Sequence, residues 1–381
     1  MFEYTDEQLM IEELVHKYSD EKIKTLAADI DAEGRYPQEN IDGLTEMGIM
    51  GLNIPEAYGG TEMDEIAKCL AIKEIARNCA STAVIVDVHY LSSDIIMEFG
   101  SEEQKAKYLP RAVEGKLGAF CLTEPGAGSD AGGLRTKAVK DGEDYILNGQ
   151  KCFISNCGPH EGDHFIVIAL TDPEKKTHGG MTAFLIDRDH PGLTIGGSEN
   201  KMGIRGSEVS DLFLEDCRVP ASAVLGKVGE GFKIAMTGLD GGRIGIASQA
   251  WGIAQGALEE AVAYANQRVQ FGKTIASKQG LQWYIAEMAT KIETAKLLIL
   301  EAASLRQSGK PCTKVAAMAK WYAGETATFV TDLALQIHGG YGYMKEYAIE
   351  RMYRDARITR IYEGTSEVQK MVIAKDVLNN K

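Results

Sequence analysis

Apolar side chains recur at every third or fourth position through the first part of the chain. Ile11, Leu14, Val15 and Tyr18 are one such set, and this spacing places them on one face of an α-helix. The same period predicts four further helices, over Glu39–Met47, Met63–Arg77, Ser81–Phe99 and Glu102–Glu114. Ser101 precedes two glutamates and is expected to cap the helix over Glu102–Glu114. We therefore predict an all-α N-terminal domain over residues 1–118.

Between residues 119 and 227 the helical period gives way to short runs of β-forming residues. The pairs Asp141-Gly142 and Asn148-Gly149 separate several of these runs, and such pairs are typical of tight hairpin turns. The predicted strands are Ala119–Leu122, Tyr145–Asn148, Cys152–Ile154, Phe165–Ala169, Thr182–Ile186, Leu193–Ile195 and Leu212–Leu214. No helical pattern lies between them, so an antiparallel sheet or barrel is favoured over a parallel sheet.

The helical period returns after residue 228, and the predicted elements become longer. They cover Gly231–Val269, Gly280–Gln307, Thr313–Ile337 and Ser366–Val377. Long helices with short connections usually pack as an antiparallel bundle, so we predict a C-terminal four-helix bundle over residues 228–381. The predicted fold class is α+β with three domains, and the antiparallel β-domain over residues 119–227 is the middle one.

Composition narrows the possible partners and compartments. The 381 residues carry a formal net charge of -14, which disfavours nucleic acid because phosphate binding needs a basic patch. The seven cysteines form no CxxC pair, which indicates reduced thiols and neither a zinc ribbon nor a disulfide framework. We expect no metal site. Neither a signal peptide nor a membrane-spanning apolar run is recognised, so a cytoplasmic protein without membrane association is expected.

A first candidate ligand segment covers residues 119–130. A short predicted strand enters a Pro-Gly-x-Gly loop that carries Thr123, Ser129 and Asp130. Glycines allow the backbone to approach a flat or charged ligand closely. An ordinary strand-to-turn transition explains this segment equally well.

A second candidate segment is the glycine cluster after the third long C-terminal helix. Gly339, Gly340 and Gly342 lie within Gln336–Met344, and a segment rich in arginine and aspartate follows. The alternative interpretation is a helix C-cap with salt bridges on a solvated face. Three glycines within four residues exceed what one cap requires, which favours a ligand against the backbone.

Together, the TEPGAGSD run at residues 123–130 and the Gln-x-x-Gly-Gly-x-Gly run at residues 336–342 resemble the paired signatures of the acyl-CoA dehydrogenase family. The resemblance covers the whole chain, and the family's helix–sheet–helix order matches the order predicted above. Two further segments, Leu239–Gln249 and Gln267–Lys273, are similar to those of short-chain, bacterial butyryl-CoA-type members.

The resemblance implies an FAD cofactor, bound between the β-domain and the C-terminal bundle and partly across a subunit boundary. The implied flavin-side contacts are Phe120, Leu122, Thr123, Phe153 and Ser155, with the Ser155 hydroxyl at flavin N5. The implied adenosine-side contacts are Gln336, Gly340 and Thr365, while Arg268 and Phe271 are implied to come from a neighbouring subunit. From the residues alone, Arg268 would more often be a surface helix charge. Many members carry Trp and Thr where this chain has Phe153 and Ser155.

Glu363 is the catalytic base that the resemblance implies. From the residues alone, it is an acid at the entry of a helix that Thr365 or Ser366 caps. In the family this glutamate removes the substrate α-proton while a hydride passes from the β-carbon to flavin N5. Some relatives place the base where this chain has Gly242, which cannot be one. The implied substrate contacts are Ser129, Asp240, Arg243, Tyr362 and Gly364.

The resemblance thus implies a FAD-dependent short-chain acyl-CoA dehydrogenase or 2-enoyl-CoA reductase. It also implies a homotetramer that exchanges electrons with an electron-transferring flavoprotein. The alternatives are a dedicated reductase for acryloyl- or aryl-acryloyl-CoA, an oxidase, and a non-catalytic FAD-binding homologue, which Glu363 argues against. Trp251 either faces the acyl pocket, in which case the substrate is short, or packs in the bundle core.

Overall fold

The computed structural model describes residues 3–158 and 162–379. The first segment is helical: α1 (Asp6–Tyr18), α2 (Lys24–Glu33), α3 (Gln38–Glu46), α4 (Glu65–Asn78), α5 (Ala80–Phe99) and α6 (Glu102–Val113). Ser101 caps α6, because its hydroxyl accepts the Gln104 backbone N–H while the Gln104 side chain accepts the N–H of Ser101. Thr5 and Gln8 form the same reciprocal pair at the start of α1.

An eight-stranded sheet follows the helices. Its strands are β1 (Gly118–Cys121), β2 (Lys137–Asp141), β3 (Asp144–Ser155), β4 (His164–Leu170), β5 (Met181–Asp187), β6 (Leu193–Ile195), β7 (Val209–Val219) and β8 (Val224–Leu225). Their order is β6-β7-β3-β2-β4-β5-β8, with β1 beside β4. Most neighbours are antiparallel, as predicted, but β4 has two parallel neighbours: β1, and β2 through the single pair Lys137–Leu170. A long connection through β2 and β3 separates β1 from β4, so no hairpin turn imposes an antiparallel pairing.

One predicted turn is wrong. Asn148-Gly149 does not end a strand, because both residues lie inside β3. The pairing of β3 with β7 shifts register between Leu147 and Gly149, which is the signature of a β-bulge. A Cβ at Gly149 would lie 2.5 Å from the Thr136 hydroxyl, so the glycine allows a close approach within the strand.

The last segment is helical again. It contains α7 (Gly231–Gln267), α8 (Gln279–Gln307), α9 (Thr313–His338), α10 (Ala348–Ala356) and α11 (Ser366–Asn379). A two-stranded hairpin, β9 (Val269–Gln270) and β10 (Lys273–Thr274), joins α7 to α8. The sequence did not predict this hairpin, because strands of two residues leave no periodic pattern.

Helices from both ends of the chain bury one continuous core around α7. Val15 and Ile75 from the first segment share it with Ile246, Trp251 and Ile299 from the last. Trp251 is buried there, and the Lys73 amine lies 5.2 Å from its ring centroid. Trp251 is therefore a core residue packed beneath α4.

Glycines allow α7 to touch α4 directly. A Cβ at Gly252 would lie 2.2 Å from the carbonyl oxygen of Lys73, and one at Gly256 would lie 2.1 Å from that of Arg77. These distances are shorter than any van der Waals contact, so the two helix backbones are in contact at these positions.

The seven cysteines are buried and form no disulfide within the described residues. Across residues 3–158 and 162–379, no helix combines the length and the apolar character that crossing a bilayer requires.

Candidate active site

Glu363 lies in a strained turn that leads into α11. Its φ is 52°, and Gly364 follows at 92°. A left-handed non-glycine residue costs about 1–3 kcal/mol and persists only where its surroundings hold it. The Gln369 amide holds it here, donating to the carbonyl oxygens of Glu363 at 3.0 Å and of Gly364 at 2.9 Å. Of the two predicted caps, Thr365 accepts the Val368 backbone N–H at 3.3 Å.

The Glu363 carboxyl lies against α7. Its Oε2 atom is buried and has no hydrogen-bond partner in the part of the chain that the structure describes. A Cβ at Gly242 would lie 2.9 Å from this oxygen, so a side chain at 242 would meet the Glu363 carboxyl. Burial raises the pKa of Glu363, against the opposing charges of Lys320 and Arg243. A buried carboxyl without a partner suits a base that works beside an apolar ligand.

Arg243 and Asp240 lie one helical turn apart on α7 and form an ion pair. Arg243 is buried, and its Nη1 donates to Asp240 Oδ1 at 2.6 Å. The other Asp240 oxygen accepts the Thr313 hydroxyl at 2.5 Å, which links α7 to the start of α9. Asp240 also borders a groove of about 670 Å³ whose lining includes Lys310. The structure therefore brings one predicted substrate residue, Asp240, to a groove that Lys310 also lines, and Arg243 is joined to Asp240 by the ion pair.

Tyr362 is anchored to α7 and through it to α5. Its hydroxyl donates to the Gln249 side-chain oxygen, and the Gln249 amide donates to the Ala80 carbonyl at 2.9 Å. Its predicted contact with substrate stays a prediction, because this hydroxyl has a protein partner.

Asp87 is a site residue that the sequence analysis missed. It is buried on α5, and a Cβ at Gly245 of α7 would clash with its Oδ1. Burial raises its pKa well above the usual range, and the charge of Glu363 adds to the effect. The available signal was a lone acid within the apolar run Ala83–Val88.

The predicted flavin-side residues come from two segments that meet: Phe120, Leu122 and Thr123 at the end of β1, and Phe153 and Ser155 at the end of β3. The Cys152 backbone N–H donates to the Thr123 carbonyl at 2.9 Å and joins these segments. The Phe153 side chain is 69% exposed and its φ is 57°. A large exposed aromatic ring beside half-buried hydroxyls fits a flat aromatic cofactor with polar edges.

A buried ion pair holds the loop that follows β1. The Lys151 amine lies 2.7 Å from Glu124 Oε1 and donates to the Leu122 carbonyl at 3.1 Å. Glu124 also accepts the backbone N–H groups of Arg135, at 2.6 Å, and Thr136, at 3.0 Å. We did not predict this pair, although a lysine between β-forming residues was a visible signal.

Ser129 is exposed in the same loop. Cβ atoms at Gly126 and Gly128 would meet no atom within 4 Å. The predicted substrate contact thus lies at the surface, where the loop backbone is open.

Gly340, one of the predicted adenosine-side residues, lies at a second groove together with Arg268, whereas Thr365 lies in the turn before α11. Arg268 and Gly340 line this groove, which has a volume of about 640 Å³; Gln270 of β9 also lines it, but no described residue of the eight-stranded sheet does. The Arg268 guanidinium lies 5.2 Å from the Tyr341 ring centroid, and a Cβ at Gly340 would meet nothing within 4 Å. Gln336 is exposed one helical turn before Gly340, and Phe271 is 93% exposed with a φ of 53°. Open backbone and exposed rings fit a ligand that a single chain does not enclose.

Three family descriptions match the chain in sequence. The acyl-CoA dehydrogenase N-terminal domain matches residues 5–116, the middle domain residues 119–217, and the C-terminal domain residues 229–378. Together they cover nearly the whole chain.

Individual relatives match over nearly their full length. The acryloyl-CoA reductase (NADH) of Anaerotignum propionicum is 50% identical over 380 residues, which cover 99% of this chain and 96% of that protein. Subunit CarC of the caffeyl-CoA reductase-Etf complex of Acetobacterium woodii is 45% identical over 374 residues, 97% and 98% of the two chains. The structure of butyryl-CoA dehydrogenase from Megasphaera elsdenii is 45% identical, covers 100% of both chains and gives a TM-score of 0.96. The chain therefore belongs to the acyl-CoA dehydrogenase family.

Proposed function

We propose that this protein is a FAD-dependent short-chain acyl-CoA dehydrogenase or 2-enoyl-CoA reductase with Glu363 as its base. The observation that carries this proposal is the buried, unpartnered Oε2 of Glu363 in a strained turn. A structural carboxyl would be paired, since an unsatisfied buried acceptor costs about 1–3 kcal/mol. Three relatives named for acryloyl-, caffeyl- and butyryl-CoA support the substrate class.

The residues of this chain divide the reaction between them. In the oxidation direction Glu363 Oε2 accepts the α-proton, and in the reduction direction the protonated carboxyl returns it. Arg243 and Lys320 lower the Glu363 pKa against the effect of burial and so support the anion that the base requires. FAD, when bound, supplies the acceptor or donor of the β-hydride. Phe120, Leu122, Thr123, Phe153 and Ser155 would hold its flavin end, and Gln336, Gly340 and Thr365, with Arg268 and Phe271 from a second chain, its other end.

Anaerobic flavin titration tests this function and its direction together. We expect butyryl-CoA to bleach the oxidised flavin and crotonyl- or acryloyl-CoA to reoxidise the reduced flavin, while free CoA changes neither spectrum. The ester that reacts fastest identifies the chain length. If no acyl ester of three to six carbons bleaches the oxidised flavin and no matching enoyl ester reoxidises the reduced flavin, the enzyme assignment is wrong and the non-catalytic alternative replaces it.

We further propose a homotetramer that exchanges electrons with an electron-transferring flavoprotein. Exposed aromatic residues on the C-terminal segment support assembly, namely Phe271, Trp283 and Tyr343. The relative from an Etf complex supports the electron partner. Seven buried cysteines that form no disulfide within the described residues support a reducing compartment, and we propose the cytoplasm.

Light scattering tests the assembly. The chain mass is 41.4 kDa, and we expect the holoprotein to have about four times this mass. Phe271→Ser is expected to lower both the mass and the FAD content, because the ring is exposed in one chain and is proposed to contact FAD in the next. Val139→Ser, which changes an exposed apolar residue of β2, is the control. A monomeric holoprotein would contradict the proposed role of Arg268.

A further inference from the structure

Lys320 is a buried lysine whose hydrogen bond has no role in the proposed reaction so far. It lies in the middle of α9 and is 1% exposed. Its amine donates to the carbonyl oxygen of Gly364 at 2.6 Å. Burying an amine costs free energy. The acceptor of this amine is a neutral backbone carbonyl, so the hydrogen bond stabilises the protein less than an ion pair with a carboxylate would. A lysine that only stabilised the core would be replaced at lower cost by an apolar residue.

The acceptor of this bond belongs to the strained turn. Glu363 and Gly364 are both left-handed, and the Gly364 carbonyl accepts from Lys320 and also from Gln369. Gln369 is itself buried at the start of α11. Side chains of two helices, α9 and α11, therefore hold the turn by hydrogen bonds, and the bond from Lys320 is the shorter one.

The charges around the amine also involve the base. Burial lowers the pKa of Lys320 to about 7, although the Glu363 carboxylate raises it. The other charged groups that act on it are Arg243 of α7, Glu325 of α9 and Glu367 of α11. An amine donates a hydrogen bond whether or not it is protonated, so the bond to Gly364 holds on both sides of neutral pH.

We propose that Lys320 is a positioning residue for the base: its bond to the Gly364 carbonyl fixes the left-handed turn and thereby the place of the Glu363 carboxyl. This inference rests on the proposed role of Glu363. The amine touches neither substrate nor FAD in this scheme and acts through the turn. When protonated, it also favours the carboxylate form of Glu363 by its charge.

Replacing Lys320 by methionine tests the proposal, because methionine keeps the length and apolar stem without the donor or the charge. We expect kcat with butyryl-CoA to fall by about 10²-fold, as for a misplacement of about 1 Å, with KM and FAD content close to those of the unmodified holoenzyme. The acidic limb of the pH–kcat profile should move to higher pH, since removing a nearby cation raises the Glu363 pKa.

The control is Lys314→Met on the same helix. Lys314 pairs with Asp376 of α11 at 2.9 Å, so this variant removes a lysine between the same two helices without touching the turn. We expect unchanged kcat and pH profile. If Lys320→Met is not obtained as folded holoenzyme, Lys320→Gln is judged by the same criteria, with a smaller loss because its amide retains an N–H donor.

Two results would overturn the proposal: a lowered thermal midpoint with kcat and pH profile unchanged, or a loss confined to KM. Glu363→Gln measured in parallel separates the two levels of inference. If Glu363→Gln keeps the full rate, the proposed function itself fails. If Glu363→Gln is inactive while Lys320→Met behaves like Lys314→Met, only the positioning role fails.

Discussion

Replacement of Glu363 by glutamine is expected to leave FAD bound and to slow flavin reduction by butyryl-CoA about 10²–10⁴-fold, the usual contribution of a general base. Glutamine has nearly the same shape, so the left-handed turn and its bonds from Gln369 and Lys320 persist. The substitution removes the Glu363 carboxylate, which is the only group proposed to accept the α-proton of the substrate. Anaerobic stopped-flow absorbance of the flavin measures the rate directly.

The control for this variant is Glu367→Gln. Glu367 is an exposed acid in the first turn of α11, and its loss should leave the rate unchanged. In the unmodified enzyme the rate should fall as the pH drops through the Glu363 pKa, because only the anion accepts a proton. Burial raises that pKa, so the rate should fall at a pH above ~4.3, which is the ordinary pKa of glutamate. Full activity of Glu363→Gln would eliminate Glu363 as the base.

The double variant Gly252→Ala and Gly256→Ala is expected to lose about 2–6 kcal/mol of folding free energy, since each overpacked position costs about 1–3 kcal/mol. Each added methyl group would press on a carbonyl oxygen of α4, at Lys73 and at Arg77. Neither oxygen belongs to a flexible side chain, so one helix must move away from the other. Urea and thermal unfolding followed by circular dichroism measure the change.

Gly280→Ala is the matched control. Gly280 is also helical, in the first turn of α8, but a Cβ there would meet no atom within 4 Å. Alanine stabilises a helix by about 0.5–1 kcal/mol relative to glycine, so this variant should be neutral or slightly more stable. Equal effects in the two cases would show that α4 and α7 are not in backbone contact.

Much of the fold follows from periodicity because its helices are long. The predicted Gly280–Gln307 and Thr313–Ile337 differ from α8 and α9 by one residue at one end. Strand order and direction do not follow in the same way, since the pairing of β1 with β4 depends on contacts distant in sequence. The turn predicted at Asn148-Gly149 was wrong for a related reason. The same dipeptide occurs in turns and in β-bulges, and the pairing with the partner strand determines which of the two forms.

The candidate site likewise divides into residues that the sequence marks and residues whose relation to the base depends on tertiary packing. Glu363 was predicted to be the base, and Gly242 was ruled out as one, because of the family resemblance; the structure adds that the two positions are adjacent. Lys320 and Asp87 were missed, because a lysine or aspartate in an apolar helix has no distinguishing spacing. Their relation to the base depends on how α5, α7 and α9 pack around one turn.

The core shared by the two ends of the chain has a consequence during protein synthesis. The apolar faces of α4 and α5 are completed by α7, which starts about 150 residues after α4 ends. At translation rates of about 5–20 residues per second, the first helices wait on the order of ten seconds or more for their partner. During that interval the nascent chain exposes the apolar faces of α4 and α5. We therefore expect the yield of folded protein to depend on chaperones that bind nascent chains on the ribosome.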